Sequence, residues 1–457
     1  MQMQVKILSR CAPRRALSPL LSPIPLPLPS SSFVCSSCQR SLRRFSVTPN
    51  RQRAPDPPPA SGYAHLTSRR LISVAGPDAP KFLHGIITQS IVEEPDPSGK
   101  GRRQRTEPTT STKFAGAGAK LGFYGALLNA MGRVLHDVFI YRDLLGLSGA
   151  DGAPDEAFVV EVDAAQVDAL ARHLRRYKLR SNLTCRILSE DEYAVWQVWD
   201  DTAASEQQQE NEEEEKEQLK WLRQAKRSIV LPDTRAPGMG WRVLSRGTGG
   251  NGSSGGLQLD LDRADDDAYR VRRYLRGVAE GQAEIVHEQA LPLESNMDVT
   301  GGVDFHKGCY VGQELTIRTR HRGVVRKRIL PCLLYPSAPS SSPPEQLEYR
   351  PNIDSTGLSA EDVPPNLGIG RPGAKGRSAG TWLTGVGNIG LALCRLQIMT
   401  DVELPGETAA GAPFDPARNE FFVEWGAVEE RGSCGRNVKV KAFVPEWLRD
   451  GLRESEH

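Results

Sequence analysis

The chain has 457 residues with 58 Lys and Arg against 56 Asp and Glu, a formal charge of +2. That charge is unevenly spread: residues 1–55 hold nine basic side chains and no acid, leaving 49 basic against 56 acidic groups beyond them, a net −7. An acidic body excludes a general nucleic-acid surface, and Pro19, Pro23, Pro25 and Pro27 break the apolar run at 17–28, which excludes a membrane-spanning helix there.

Residues 1–55, basic, rich in Ser and Pro and acid-free, have the composition of a mitochondrial transit peptide and predict a matrix location. Arg43-Arg44-Phe45-Ser46 supplies a processing point after Phe45. Cys11, Cys35 and Cys38 would leave with this segment, taking the C-x-x-C with them. Cys185, Cys309, Cys332, Cys394 and Cys434 remain, widely spaced, which fits free thiols in a reducing compartment rather than a disulfide framework. The close pairing of a zinc site or a locally ligated iron-sulfur cluster is missing, so no permanent metal is expected.

Roughly 400 residues remain, enough for two or three domains. Residues 56–322 read as an α+β body with insertions at 93–112, 200–227 and 246–256; residues 323–457 read as a C-terminal β-barrel domain with an insertion at 336–380. In chain order, residues 70–74 predict a strand, followed by a Pro-containing turn into a helix through Phe82, Leu83, Ile86 and Ile87. Residues 123–129 and 133–141 predict a hairpin around Ala130-Met131-Gly132. Strands at 158–162 and 193–198 enclose a helix at 164–177, with Val167, Leu170, Ala171 and Leu174 on one face. This order suggests helices against a mainly antiparallel sheet. A helix at 269–276 follows, and beyond Gly323 the pattern is all strand: 324–334, 382–386, 390–396, 421–425 and 438–444.

The densest chemistry lies at 303–328. Lys307-Gly308-Cys309-Tyr310-Val311-Gly312-Gln313-Glu314 sets a cation, a thiol, a phenol, an amide and a carboxylate within eight residues, with two glycines that let the backbone turn sharply. Lys307 lies two residues before Cys309, and a cation there favours the thiolate.

This run resembles the K-G-C-Y-x-G-Q-E signature of the YgfZ-type folate-binding proteins, whose mitochondrial members assist iron-sulfur cluster assembly. Asp233-Thr234-Arg235 with Gly240-Trp241-Arg242, Gly277-Val278-Ala279-Glu280-Gly281 and Leu291-Pro292-Leu293-Glu294-Ser295-Asn296-Met297-Asp298 are similar to further family motifs in the same order. The resemblance runs in patches from Tyr63 to Val444 and implies a body like that of the glycine-cleavage T-protein, a tetrahydrofolate-dependent aminomethyltransferase, plus a C-terminal β-barrel.

What the resemblance implies chemically is an apolar slot for a pterin, hydrogen-bonding groups and cations for a glutamate tail. Candidates are Tyr124 and Tyr310 as walls, Asn129 and Glu294 as hydrogen-bonding groups, and Arg273, Arg318 or Arg320 as cations, with Lys307, Gly308, Gly312, Gln313 and Glu314 from the signature. Where the T-protein hairpin carries an acidic pair this chain reads His136-Asp137, so Asp137 alone remains for acid-base work, with Lys307 and Cys309 as the other chemical candidates. The leading expectation is a matrix factor for maturing 4Fe-4S proteins, using Cys309 as a functional thiol or transient cluster ligand, with tetrahydrofolate as a candidate ligand. Its expected partners are iron-sulfur scaffold or carrier proteins and 4Fe-4S client enzymes. The alternatives are a tetrahydrofolate-dependent aminomethyltransferase and a non-catalytic interaction scaffold; an assembly factor is favoured over a conventional enzyme.

Overall fold

The structure, a computed structural model, describes residues 55–91, 121–146, 156–202, 228–247, 257–338, 341–372, 378–404, 414–415, 419–426 and 436–454. The segment 1–55 expected to be a transit peptide (save Pro55), the expected insertion at 93–112, most of those expected at 200–227 and 246–256, and Cys434 lie outside these residues.

The body begins with β1 (Ser61–His65), β2 (Arg69–Ala75) and α1 (Ala79–Ile86), then the hairpin β3 (Gly122–Leu128) and β4 (Val134–Arg142). It continues through β5 (Ala157–Asp163), α2 (Val167–Tyr177), β6 (Thr184–Ile187), β7 (Tyr193–Asp200), β8 (Ile229–Pro232), β9 (Trp241–Arg246) and β10 (Asp262–Ala264) to α3 (Asp266–Arg276) and α4 (Gln313–Arg322). One antiparallel sheet runs β3-β4-β5-β2-β6 and a second runs β10-β1-β7-β9-β8, in which only β1 and β10 pair in parallel.

Both faces of the first sheet are covered, which is why β2 to β5 read as nearly continuous apolar runs rather than as alternating strands. Ile72, Val74, Leu127 and Val138 meet α1 and α2 on one side; Leu71, Tyr124, Phe139 and Tyr141 meet the second sheet and α3 on the other. A register shift opposite Leu127 and Leu128 interrupts the β3–β4 ladder. Beyond it Asp137 joins Phe139 and Tyr141 on the inner side, while His136 lies beside His287. Helix α3 is fixed at both ends: the Asp265 carboxylate accepts from Ala268 N at 2.7 Å, and Gly277 at φ +72 turns the chain so that Val278 N reaches Arg273 O at 2.9 Å.

The barrel comprises β11 (Lys327–Tyr335), β12 (Gly368–Ile369), β13 (Gly380–Val386), β14 (Ile389–Arg395), β15 (Phe422–Trp425) and β16 (Arg436–Ala442), with α5 (Leu396–Met399) and α6 (Glu446–Glu454) beside it. Its order is β12-β13-β14-β11-β16-β15, and Gly370 and Phe422 exchange backbone hydrogen bonds that draw the two edges together. Leu330, Cys332, Trp382, Ala392, Cys394 and Val440 fill its interior. The expectation of a disordered insertion at 336–380 needs correction for its described part. Tyr349, Ile353, Ala360, Val363 and Ile369 are buried, so enough apolar surface is removed from water there to order a Pro- and Ser-rich segment.

Candidate functional site

The signature does not stay a loop. Gln313 opens α4, and Gly312 precedes the helix at φ +80, packed so closely on the β3–β4 turn that a Cβ would fall on the Asn129 carbonyl oxygen. A Cβ at Gly132, on the facing side of that turn, would lie 2.9 Å from Gly312 O. Asn129 holds the turn itself, its Oδ1 accepting from Met131 N and Arg133 N at 3.0 Å each.

Lys307 serves as an anchor. Its ammonium donates to the carbonyls of His84, Ile87 and Gln89 at 2.7, 2.7 and 2.9 Å, where the unpaired carbonyls of α1 favour a cation, and it stands 4.9 Å from the Tyr310 ring centroid. On the other side of Cys309, Tyr310 is buried, its N donates to Gln313 Oε1 at 3.2 Å, and Val311 N donates to Gly85 O at 3.1 Å. The chain is thus pinned before and after Cys309. Cys309 itself is exposed; Cys185 is half-buried, its thiol pushed up by burial, and Cys332 and Cys394 are sealed in the barrel with sulfurs 3.8 Å apart. Among the described residues Cys309 is the single exposed cysteine.

The body interior holds a second concentration of charge. Glu161 accepts from Arg69 Nε at 2.8 Å and from the Tyr141 hydroxyl at 2.6 Å. Arg242 donates to Glu280 at 2.5 Å and to Gln197 at 3.0 Å; Arg235 holds Asp233 through Nε at 2.9 Å and Nη2 at 2.7 Å and approaches Glu280 to 2.7 Å. Arg273 binds Glu284 with two hydrogen bonds, 2.6 and 2.9 Å, and Tyr274 adds a third at 2.9 Å. Burial alone would raise the Glu280 carboxyl, but Arg242, Arg235, Arg69 and Arg273 overcome it and hold the group well below the usual carboxylate range. Burial raises the phenols of Tyr124 and Tyr269. The guanidinium carbons of Arg235 and Arg242 lie 4.8 and 4.5 Å from the Phe139 centroid, and Arg235 lies 5.2 Å from that of Tyr124.

The sequence candidates therefore divide among several places. Asp137 belongs to the interior cluster, where it accepts from Gly281 N at 3.2 Å and from Arg69 at 3.4 Å. Tyr124 lies beneath Arg235 in the same core. Arg273 borders a cavity of about 630 Å³ formed with His65, Arg69, Arg270 and Tyr274, while its guanidinium is already committed to Glu284. Glu294 borders a different groove, of about 290 Å³, with Lys327 3.8 Å away. Asn129 holds the hairpin turn on which Gly312 packs, Lys307 ties the signature to the end of α1, and Gln313 closes it on Tyr310 N. Glu314, Arg318 and Cys309 are exposed, Gly308 is half-buried, and Arg320 lies over the Phe305 ring at 5.2 Å.

Five members of the interior cluster, Arg69, Glu161, Arg235, Arg242 and Glu280, carried no site role in the sequence reading. Arg235, Arg242 and Glu280 sit in motifs that were visible, and Glu161 is a lone carboxylate within the apolar run of β5, a pattern that signals a buried, paired charge.

Residues 326–450 match the family model described as CAF17, C-terminal beta-barrel domain. Among solved structures, the glycine cleavage system aminomethyltransferase T of Bartonella henselae is similar at a TM-score of 0.49 and 12% identity, over 86% of this chain and 87% of that one. Two relatives named iron-sulfur cluster assembly factor IBA57 homolog, mitochondrial, are closer in sequence. The one from Pyricularia oryzae is 49% identical over 93% of this chain and 94% of its own length. The one from Chaetomium globosum is 46% identical over 94% and 92%. With nearly half of all positions identical along almost the full length of both chains, the protein belongs to the IBA57 family of mitochondrial iron-sulfur cluster assembly factors.

Proposed function

We propose that the protein helps mature 4Fe-4S enzymes in the mitochondrial matrix by presenting the Cys309 thiol to a cluster carried by a partner, itself an iron-sulfur scaffold or carrier protein. The carrying observation is the contrast between an exposed Cys309 and its immobilised flanks, Lys307 on three carbonyls and Tyr310 buried. A thiol held this way meets an incoming cluster with little ordering left to do. Clusters are held by Cys thiolates, four in the usual case. No three His, Cys, Asp or Glu side chains converge as ligands among the described residues, so Cys309 supplies one ligand and the partner the others. The cluster is cargo, held transiently between two proteins.

Tetrahydrofolate fits the observed residues poorly. Of the two candidate walls for a pterin, Tyr124 lies under the Arg235 guanidinium and Tyr310 beside the Lys307 ammonium, and Arg273 is paired with Glu284. Of Tyr124, Asn129, Arg273, Glu294 and Tyr310, only Arg273 borders the large cavity. No step is assigned to a folate, and Asp137, tied to Arg69 and to the Gly281 amide, gives no support to aminomethyl transfer.

The test is anaerobic reconstitution of the full chain with a cluster-loaded carrier, followed by visible circular dichroism, together with 4Fe-4S enzyme activity in cells lacking the protein. Cys309→Ser is expected to abolish the shared-cluster spectrum and to fail in complementation. Full complementation by Cys309→Ser would exclude the thiol role.

A further inference from the structure

Helix α4 begins four residues beyond Cys309, and Glu314, Arg318, His321 and Arg322 are exposed along it. Their i, i+4, i+7, i+8 spacing places them on one face. From Lys307 to Arg328 the sequence holds seven Lys and Arg and one acid, Glu314, within residues 56–457, whose net charge is −7. Several of these cations are committed internally. Lys307 caps α1, Arg328 pairs with both carboxylate oxygens of Asp298 at 2.8 Å, Arg320 covers Phe305 and Lys327 approaches Glu294.

Arg318 and Arg322 are different. Neither forms an ion pair with a described residue, and they stand four apart on one helix, where like charges destabilise by roughly 0.2–0.5 kcal/mol. The helix dipole at the last turn of α4 and Glu314 one turn before Arg318 offset that repulsion, so the pair is tolerated while both guanidinium groups stay open to solvent. Alongside, Leu315 and Thr319 of α4 close one wall of the groove of about 290 Å³, whose other apolar lining includes Leu291, Val324 and Val325. Arg326, Lys327 and Arg395 border the same groove.

We propose that the outer face of α4 and this groove form the docking surface for the cluster-carrying protein, which presents carboxylates around one apolar side chain. The proposal rests on the Cys309 reading for the identity of the partner and adds the chemistry by which that partner is recognised. Arg318 and Arg322 draw the acidic face in, speeding encounter more than they tighten the final complex. The apolar side chain enters the groove and sets the register that brings the cluster to Cys309.

The experiment uses the full chain, its Arg318→Glu/Arg322→Glu variant and a Val325→Trp variant that fills the groove without adding charge. Binding is measured at low and high salt against mitochondrial scaffold and carrier proteins loaded with their clusters. Thermal unfolding verifies that each variant is folded; because the two arginines are exposed and form no ion pair with a described residue, the double reversal is expected to remain folded with only the small loss that like charges on a helix and an acid in its last turn bring. The double reversal should weaken binding to one carrier by about tenfold or more, chiefly through slower association. Exchanging carboxylates on that carrier for lysines should restore binding. Val325→Trp should weaken binding while leaving its salt dependence intact. Unchanged binding by the double reversal, or a wild-type chain that binds none of these proteins, overturns the proposal. So does a loss confined to anionic vesicles or RNA. The two readings separate cleanly: Cys309→Ser that keeps the shared cluster while the double reversal loses affinity removes the thiol role and leaves the docking surface standing.

Discussion

In the interior, Arg69, Arg235, Arg242 and Arg273 each meet a buried carboxylate, whereas along α4 Arg318 and Arg322 face solvent without one. The same side chain is thus used in two ways. Inside, where a charge left unpaired is costly, each of these guanidinium groups is fitted to a partner, those of Arg235, Arg242 and Arg273 also stack on aromatic rings, and the cluster fastens β2, β5, β9 and the Gly277–Gly281 turn together. At the signature edge the structural cation is Lys307, and the groups left over, Cys309 with the two arginines, are those with no internal task. Concentrated charge therefore marks architecture in one region and contact with other molecules in the other.

The largest expected effect breaks the interior half of that contrast. Arg242→Met removes the donor to Glu280 and Gln197 and leaves the buried Glu280 and Glu161 short of a counter-charge. Destabilisation of about 3–5 kcal/mol is expected in chemical denaturation. A loss under 1 kcal/mol, by general experience the value of an exposed pair, would mean that the cluster is hydrated.

Next comes the seam between signature and hairpin. Gly312→Ala adds a methyl group against the Asn129 carbonyl at φ +80, so both backbone strain and overlap oppose it. About 3 kcal/mol of stability should be lost. If Gly312→Ala instead unfolds like the wild type, the hairpin does not support the signature as described.

The α+β order, the hairpin, the closing barrel strands and the signature were legible because each follows from local pattern: alternating or continuous apolar runs, a turn containing Gly132, five polar groups within eight residues. The division of labour within the signature was not. Lys307 read as the activator of Cys309 because the two are neighbours in sequence, yet its ammonium reaches α1, more than two hundred residues earlier in the chain. Arg273 read as a spare cation because Glu284 lies eleven residues away, beyond the reach of any helix-spacing rule. Sequence spacing reports neighbours on one element; these partners come from different elements.

Lys307→Met tests the reassignment of that residue to structure. The aliphatic stem is kept while three carbonyls at the end of α1 lose their donor, and about 1–3 kcal/mol of stability should go with them. Cluster sharing measured well below the unfolding temperature should then persist. A stable Lys307→Met protein that cannot share a cluster would return the lysine to thiol chemistry.

A pH-dependent effect, small at neutral pH and growing only as the pH falls, belongs to His136, which is buried with Nδ1 unpartnered beside the His287 ring, centroids 5.4 Å apart. Burial, then the charges of His287 and His173, lowers its pKa from 6.5 to about 3. The folded state therefore keeps this ring neutral where the unfolded chain takes up a proton. Its contribution to stability is present above pH 6.5 and is lost as the pH falls toward 3. Across that window the stability of the wild type relative to His136→Gln should decline by about 1.4 kcal/mol per pH unit. A difference that stays flat across the window would show that water reaches the ring.

The smallest expected change in stability falls on the most exposed chemistry. Cys309→Ala removes a sulfur that is exposed, from a backbone held by Lys307, Tyr310 and Val311 rather than by the thiol. Unfolding should therefore shift by no more than about 0.5 kcal/mol, the usual range for a surface site. The same variant should lose the shared-cluster spectrum completely. That pairing inverts Arg242→Met, whose damage is to the fold. If Cys309→Ala instead unfolded several kcal/mol more easily, the thiol would be part of the packing and the division between an architectural interior and a chemically free edge would fail at the residue that defines it.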